Sequence, residues 1–164
     1  MEVELTKYEL KYADYIAKIR NTEALKVGKK NKFGLPNSED DDFQIHRIGT
    51  AGEMALAKAM NWYFNGHINT YKNGYDVYKT QVRTATKSSH RLIVRDDDKA
   101  DDIFVLVIKD ETNDQKFKIR GWIKGSEAKN NKYLQNPHNW KLAYFIPQSD
   151  LNPVSTLSAA INEI

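Results

Sequence analysis

Ile103-Phe104-Val105-Leu106-Val107-Ile108 is an unbroken apolar run of six residues, entered from Asp101-Asp102 and left at Lys109-Asp110. Six residues is the length of a strand and short for a helix, and all but Leu106 are β-branched or aromatic. A strand that is apolar at every position, rather than at alternate ones, is covered on both faces. The fold must therefore lay material on each side of a sheet.

Outward from this run, Gln81 to Thr86 and Arg91 to Arg95 flank a polar Lys87-Ser88-Ser89 turn, which predicts a hairpin. Ile68 to Tyr71 and Tyr75 to Tyr78 are short β-rich pieces around the Asn73-Gly74 turn signal. Downstream, Phe117 to Ile123 predicts another strand, Glu127 to Leu134 a short helix and Leu142 to Ile146 a short buried strand. Pro153 to Ile164 opens with a helix-starting proline and predicts a last helix.

Two helices precede the strands. Leu5, Tyr8, Tyr12, Tyr15, Ile16, Ile19 and Ala24 recur at three- and four-residue steps, so residues 5–27 predict an amphipathic helix ended by Gly28. Lys29 to Asp42 predicts a polar loop with an acidic cluster, Glu39-Asp40-Asp41-Asp42. From Phe43 to Phe64, Ile45, Ile48, Ala55, Leu56, Ala59 and Tyr63 again recur at helical spacing. Gly49 and Gly52 lie inside that helix, each costing about 1 kcal/mol relative to Ala. Close approach of the helix to a sheet is the expected return. The order predicts one α/β (α+β) domain over residues 1–164, with a central mixed sheet flanked by helices. The core spans 43–157, and the first helix is an addition.

The 164 residues are enough for a single core. With no cysteine, disulfides, thiolate metal sites and a cysteine nucleophile are excluded, so a metal would be held by oxygen or imidazole, which favours a hard cation. The net charge of +3 permits a nucleic-acid partner without arguing for one. No apolar run approaches eighteen residues, and Met1-Glu2-Val3-Glu4 lacks a signal pattern. The expectation is no membrane association and a cytoplasmic location, in a host cell if the chain is phage-encoded.

On a strand, Gln81 and Arg83 share a face while Val82 points to the core, and Asp76 lies just upstream at a turn. Glu53 sits beside the helix glycines. Two carboxylates, an amide oxygen and a cation converging at one sheet edge suit metal-assisted phosphodiester hydrolysis. This order, helix-borne Glu53, then Asp76, then Gln81-Val82-Arg83-Thr84, resembles the PD-(D/E)XK nuclease superfamily. The layout of Arg91 to Arg95, Asp102 to Val107 and Ile119 to Ala128 is similar to small phage and bacterial members of it.

The resemblance implies a restriction-endonuclease-like sheet and a site holding Mg²⁺ or Mn²⁺. Asp76 is then the principal ligand, Glu53 the helix-borne one, Gln81 stands at the acidic position, and the Val82 carbonyl adds an oxygen. Arg83 stands at the lysine position, where it can steady a phosphate but cannot act as a base. Gln81 is neutral, so the site carries one negative charge fewer. Lys29 and Lys30, with Lys87 and Arg91, are the candidate nucleic-acid contacts. The implied activity is hydrolysis of nucleic acid, with DNA the expected substrate. The alternative is a decayed member that binds nucleic acid or protein, such as a phage accessory factor.

Each residue also has a plainer reading. Asp76 lies among turn formers, Glu53 on its own reads as a solvated helix residue, and Gln81 with Arg83 reads as an exposed strand face. His46, His67, His90 and His138 share no ligand spacing, and no nucleophile elbow or phosphate loop is present. Trp122 and Trp140, each near a lysine, read as base-stacking groups or as core and edge aromatics.

Overall fold

The apolar run is strand β4 (Ile103–Lys109), an inner strand of a four-stranded sheet. The computed structural model describes residues 1–26, 39–68, 74–136 and 142–163. On one side β4 pairs in parallel with β2 (Thr80–Ala85), Val82 opposite Val105. On the other it pairs antiparallel with β5 (Lys116–Lys124), whose far side is closed by β1 (Glu2–Glu4). The sheet order is β1-β5-β4-β2, so the sheet is mixed, as expected, and β2 is an edge.

Every second residue of β4 faces a different core. Ile103, Val105 and Val107 pack with Val82 against Ala51, Ala55 and Leu56, together with Leu157 and Ile161. Those partners come from α2 (Glu39–Met60) and α4 (Leu157–Asn162). Phe104, Leu106 and Ile108 pack instead against Leu92, Val94 and Ile146. This second layer is an antiparallel sheet, β3 (Leu92–Arg95), β7 (Ala143–Ile146) and β6 (Leu134–Gln135), in the order β3-β7-β6. The fold is mixed α and β, with helices on one face of the large sheet and a small sheet on the other.

The hairpin expected between Gln81–Thr86 and Arg91–Arg95 is not formed, and one expected sheet is two. β2 pairs with β4 and β3 with β7. The reason is visible at both strands. The Val82 N–H on the free side of β2 already donates to the Asp76 carboxylate at 2.7 Å, so that edge is taken. β3 buries only Leu92 and Val94, one face, which suits it to lie over β4 rather than beside β2. Tyr75 to Tyr78 is likewise not a strand but a tight turn closed by a Val77–Thr80 bridge, with Tyr78 at φ 43°. Of the Ile68–Tyr71 piece, residues 69–71 lie outside the described residues, as does Asn73.

The first helix, α1 (Lys7–Lys26), starts with a capping box: Glu9 N–H donates to Thr6 Oγ1 at 3.2 Å, and Thr6 N–H donates to Glu9 Oε2 at 2.6 Å. It lies against α2 through three ion pairs: Glu9–Lys58 at 2.8 Å, Asp14–Arg47 at 2.6 Å and Arg20–Glu53 at 2.8 Å. α2 begins at Glu39, so the backbone of 39–42 is helix rather than loop, and it ends at Met60, with Asn61 at φ 55° as a left-handed cap. Beyond β5, α3 (Gly125–Ala128) is a single turn. No helix among the described residues is long and apolar enough to cross a membrane.

Of the two helix glycines, Gly52 has the expected close approach. A Cβ there would lie 2.7 Å from Thr84 Cγ2 and closer still to Thr84 Oγ1. Gly49 has nothing within 4 Å, so its helix cost is not offset by packing.

Candidate functional site

Contact between Gly52 and Thr84 lays α2 directly on β2, and Glu53 is the next residue along the helix. Its side chain is buried, with 7% of the residue exposed. Arg20 Nη1 of α1 donates to both Glu53 oxygens, at 2.8 and 2.9 Å. The same nitrogen lies 3.3 Å from Thr50 Oγ1, and Arg20 Nε donates to the His67 carbonyl at 2.7 Å. Arg20 is thus held on three sides around Glu53.

Asp76 lies in the turn that leads into β2. Its backbone N–H donates to the Thr80 carbonyl at 2.9 Å, and its Oδ2 accepts the Val82 N–H at 2.7 Å. A strand residue directs its N–H and its C=O to the same side. The Val82 carbonyl therefore points toward the edge where the Asp76 carboxylate sits.

Burial raises the Glu53 carboxyl first, and the charge of Asp76 raises it further; Arg20 opposes both, and the net result is a pKa pushed up to about 7. Burial also raises Asp76, against the Val82 N–H and the charges of Arg83 and Arg20. Two carboxylates distant in sequence thus form one electrostatic unit at the edge of β2.

Gln81 and Arg83 lie on the other face of the strand, toward the small sheet. Gln81 Nε2 donates to the Gly74 carbonyl at 3.1 Å and to Asp102 Oδ2 at 3.2 Å. Arg83 Nη2 donates to Asp98 Oδ2 at 2.8 Å, and its guanidinium stands 5.1 Å over the Phe104 ring. Asp98 Oδ2 also accepts the Arg95 N–H at 2.8 Å. The four predicted residues do not meet on one face. Glu53 comes from the helical side, Gln81 and Arg83 from the side of the small sheet, and Asp76 at the edge lies within electrostatic range of both Glu53 and Arg83.

The Glu53 and Asp76 carboxylates and the Val82 carbonyl are oxygen donors of the kind a hard divalent cation takes, whereas Gln81, expected to add an amide oxygen, lies on the other face, bonded to Gly74 and Asp102. Among the described residues, no group of three His, Cys, Asp or Glu is placed to hold a metal. Any ion here therefore depends on Glu53, Asp76 and neutral oxygens. Thr84 Oγ1 is buried in the same contact with no hydrogen-bond partner.

Lys29 and Lys30 lie outside the described residues. Lys87 and Arg91 are exposed, but they follow the C-terminal end of β2, opposite the Asp76 turn. A cavity of about 680 Å³, lined by Glu2, Ser88, Lys109, Glu111, Lys118 and Arg120 among others, includes none of the predicted site residues. Trp122 is held by its indole N–H, 3.0 Å from both the Pro153 carbonyl and Thr156 Oγ1, and packs against the core, which bears out its plainer reading. Trp140 lies outside the described residues.

Sequence reasoning missed Arg20 and Asp98. Arg20 had a signal: it falls four residues after Ile16 and three after Ala17, on the buried stripe of α1, where an arginine needs an acidic partner. Asp98 had none, because it sits in an acidic run that reads as a solvated loop. Compared with models of known protein families, with curated proteins and with solved structures, the chain matches none.

Proposed function

We propose that this chain is a PD-(D/E)XK-like protein with a restriction-endonuclease-like sheet, hydrolysing phosphodiester bonds in nucleic acid, DNA foremost, with Mg²⁺ or Mn²⁺. The observation that supports it is the Glu53–Asp76 pair: two carboxylates raised by burial at the edge of β2, beside the Val82 carbonyl. Burying like charges together is unfavourable unless one keeps its proton or a cation is shared between them, and a divalent cation would serve both carboxylates.

When bound, a divalent cation supplies positive charge for the phosphate and acidifies water. The protein's part would be to hold it through Asp76, Glu53 and the Val82 carbonyl, with Gln81 on the far face taking no part. Glu53 must be ionised for this, so holding improves as pH rises through about 7. Arg83, by exchanging Asp98 for a phosphate oxygen, steadies the charge that develops in the transition state.

The test is cleavage of linear, nicked and single-stranded DNA by wild type, Asp76→Asn and Glu53→Gln, in Mg²⁺, Mn²⁺ or EDTA, beside calorimetric titration of each metal. Cleavage and metal binding by wild type, both lost in Asp76→Asn, are expected. Folded wild type that neither cleaves nor binds metal overturns the reading.

One observation favours a second reading. Arg20 already supplies both oxygens of Glu53 with a positive partner, and Arg83 is already paired with Asp98. A site whose charges are satisfied internally suits a decayed member of the superfamily that binds nucleic acid or protein without cutting.

A further inference from the structure

The outward face of α1 carries three tyrosines one or two turns apart. Tyr8 is 83% exposed, Tyr15 61% and Tyr12 48%. At 3.6 residues per turn, Lys11 and Lys18 fall beside this stripe and Lys7 at its margin, and all three lysines are exposed. None of the three forms an ion pair among the described residues, and Tyr8 and Tyr15 touch no other ring there. Tyr12 alone is oriented from behind, edge-on to Phe64 with centroids 6.3 Å apart.

The acidic residues of α1 are all paired, including Asp14, which lies between Lys11 and Lys18. Glu9 pairs with Lys58, Asp14 with Arg47, and Glu23 with Lys26. What remains on the open face is a row of aromatic rings with three lysines along one side, unpaired among the described residues. Tyrosines cost little to keep in water because of their hydroxyls, yet three in register on a solvent face exceed what an isolated surface helix needs. The one aliphatic residue in line with the stripe, Ile19, is half-buried, so the face lacks the exposed aliphatic anchors that hold a helix in a lipid surface.

We infer that this face of α1 is a single-stranded nucleic-acid platform, on which bases stack on Tyr8, Tyr12 and Tyr15 while Lys7, Lys11 and Lys18 track the phosphates. The charge and the ring pattern both complement an unpaired strand, whose bases are free to stack and whose backbone is anionic. A duplex hides its bases and would use only the lysines. The platform is separate from the Glu53–Asp76 edge and does not require hydrolysis there.

The experiment is fluorescence anisotropy of a labelled oligothymidylate with the full chain in EDTA, so that cleavage plays no part. Three phosphate contacts on a single strand predict a log–log salt slope of about −2, or about a 20-fold loss of affinity from 50 to 200 mM salt. Tyr8→Leu/Tyr15→Leu, which keeps helix propensity and apolar bulk, is expected to weaken oligothymidylate binding at least about tenfold. It should leave unchanged the weaker binding of a strand of abasic deoxyribose phosphates. Lys11→Gln/Lys18→Gln should instead flatten the salt slope by more than half. Circular dichroism checks that both variants keep their helices. Equal binding of the tyrosine variant and wild type, equal affinity for abasic and base-bearing strands, or preference for duplex would each overturn the inference. So would the tyrosine variant losing self-association in ultracentrifugation while wild type ignores the oligonucleotide.

Discussion

Arg20 and Glu53 form the tie between the first helix and the buried end of the second: one guanidinium nitrogen donates to both carboxylate oxygens, at 2.8 and 2.9 Å. Glu53 is buried, so this pair controls the stability of the α1–α2 layer and the charge state of the candidate site together. It also makes the site's electrostatics measurable without knowing a substrate.

The Glu53 carboxyl is raised from 4.5 to about 7, so the native state holds its proton more tightly than the unfolded chain does. Its contribution to stability is then fully present below about pH 4.5 and is lost as pH rises through about 7. Urea unfolding of wild type and Glu53→Gln in EDTA, from pH 5 to pH 8, should show wild type losing on the order of 3 kcal/mol relative to the variant. Parallel pH profiles would contradict the shift. Asp76 is raised in the same sense.

Arg20→Leu removes the cation and leaves the Glu53 charge buried. At pH 8 this is expected to cost about 3–5 kcal/mol. Near pH 5, where Glu53 is neutral, the loss should shrink by at least half, as measured by chemical denaturation at the two pH values.

The two glycines of α2 predict opposite outcomes for the same substitution. Gly49→Ala meets nothing within 4 Å and should stabilise the protein by up to about 1 kcal/mol through helix propensity. Gly52→Ala drives a methyl into Thr84 and should destabilise by about 1–3 kcal/mol. Adding Thr84→Ala removes the two nearest atoms and an unpartnered hydroxyl but leaves the Thr84 Cβ position 2.9 Å away, so the double variant should recover part of the loss in thermal melts.

Asp98 Oδ2 accepts from both Arg83 Nη2 and the Arg95 N–H, joining β2 to the end of β3. Asp98→Asn should therefore lower stability by about 2 kcal/mol at neutral pH and loosen the β3 end, seen as faster amide exchange at Arg95. Unchanged exchange there would argue against the bridge.

If Glu53 and Asp76 share a divalent cation, metal stabilises the folded chain by mass action. At a hundredfold excess over Kd the gain is about 2.7 kcal/mol, or about 5–10 °C in Tm for a chain of this size. Asp76→Asn should melt at the same temperature with Mg²⁺ or EDTA.

Much of the fold was legible. The unbroken 103–108 run announced a strand covered on both faces, and its alternate residues do enter two different cores. The helical spacing of 5–27 and of 43–64 located α1 and α2 to within a few residues. Pairing was less legible. A polar Lys87-Ser88-Ser89 turn is locally compatible with a hairpin, but the edge of β2 is already bonded to Asp76, so β3 joins β7 instead. Local turn chemistry carries no information about a competitor for the same edge.

The sequence by itself determined that a doubly covered strand exists, that two helices accompany it, the second with glycines inside it, and that cysteine chemistry is excluded. These depend on side-chain type and period, which a linear chain displays. Only the tertiary structure decided that Glu53 and Asp76 become electrostatic neighbours, that Arg20 from a distant helix meets Glu53, and that Gln81 and Arg83 face the small sheet. Those relations depend on which elements pack together, and burial turns such packing into shifted charge states that sequence spacing does not encode.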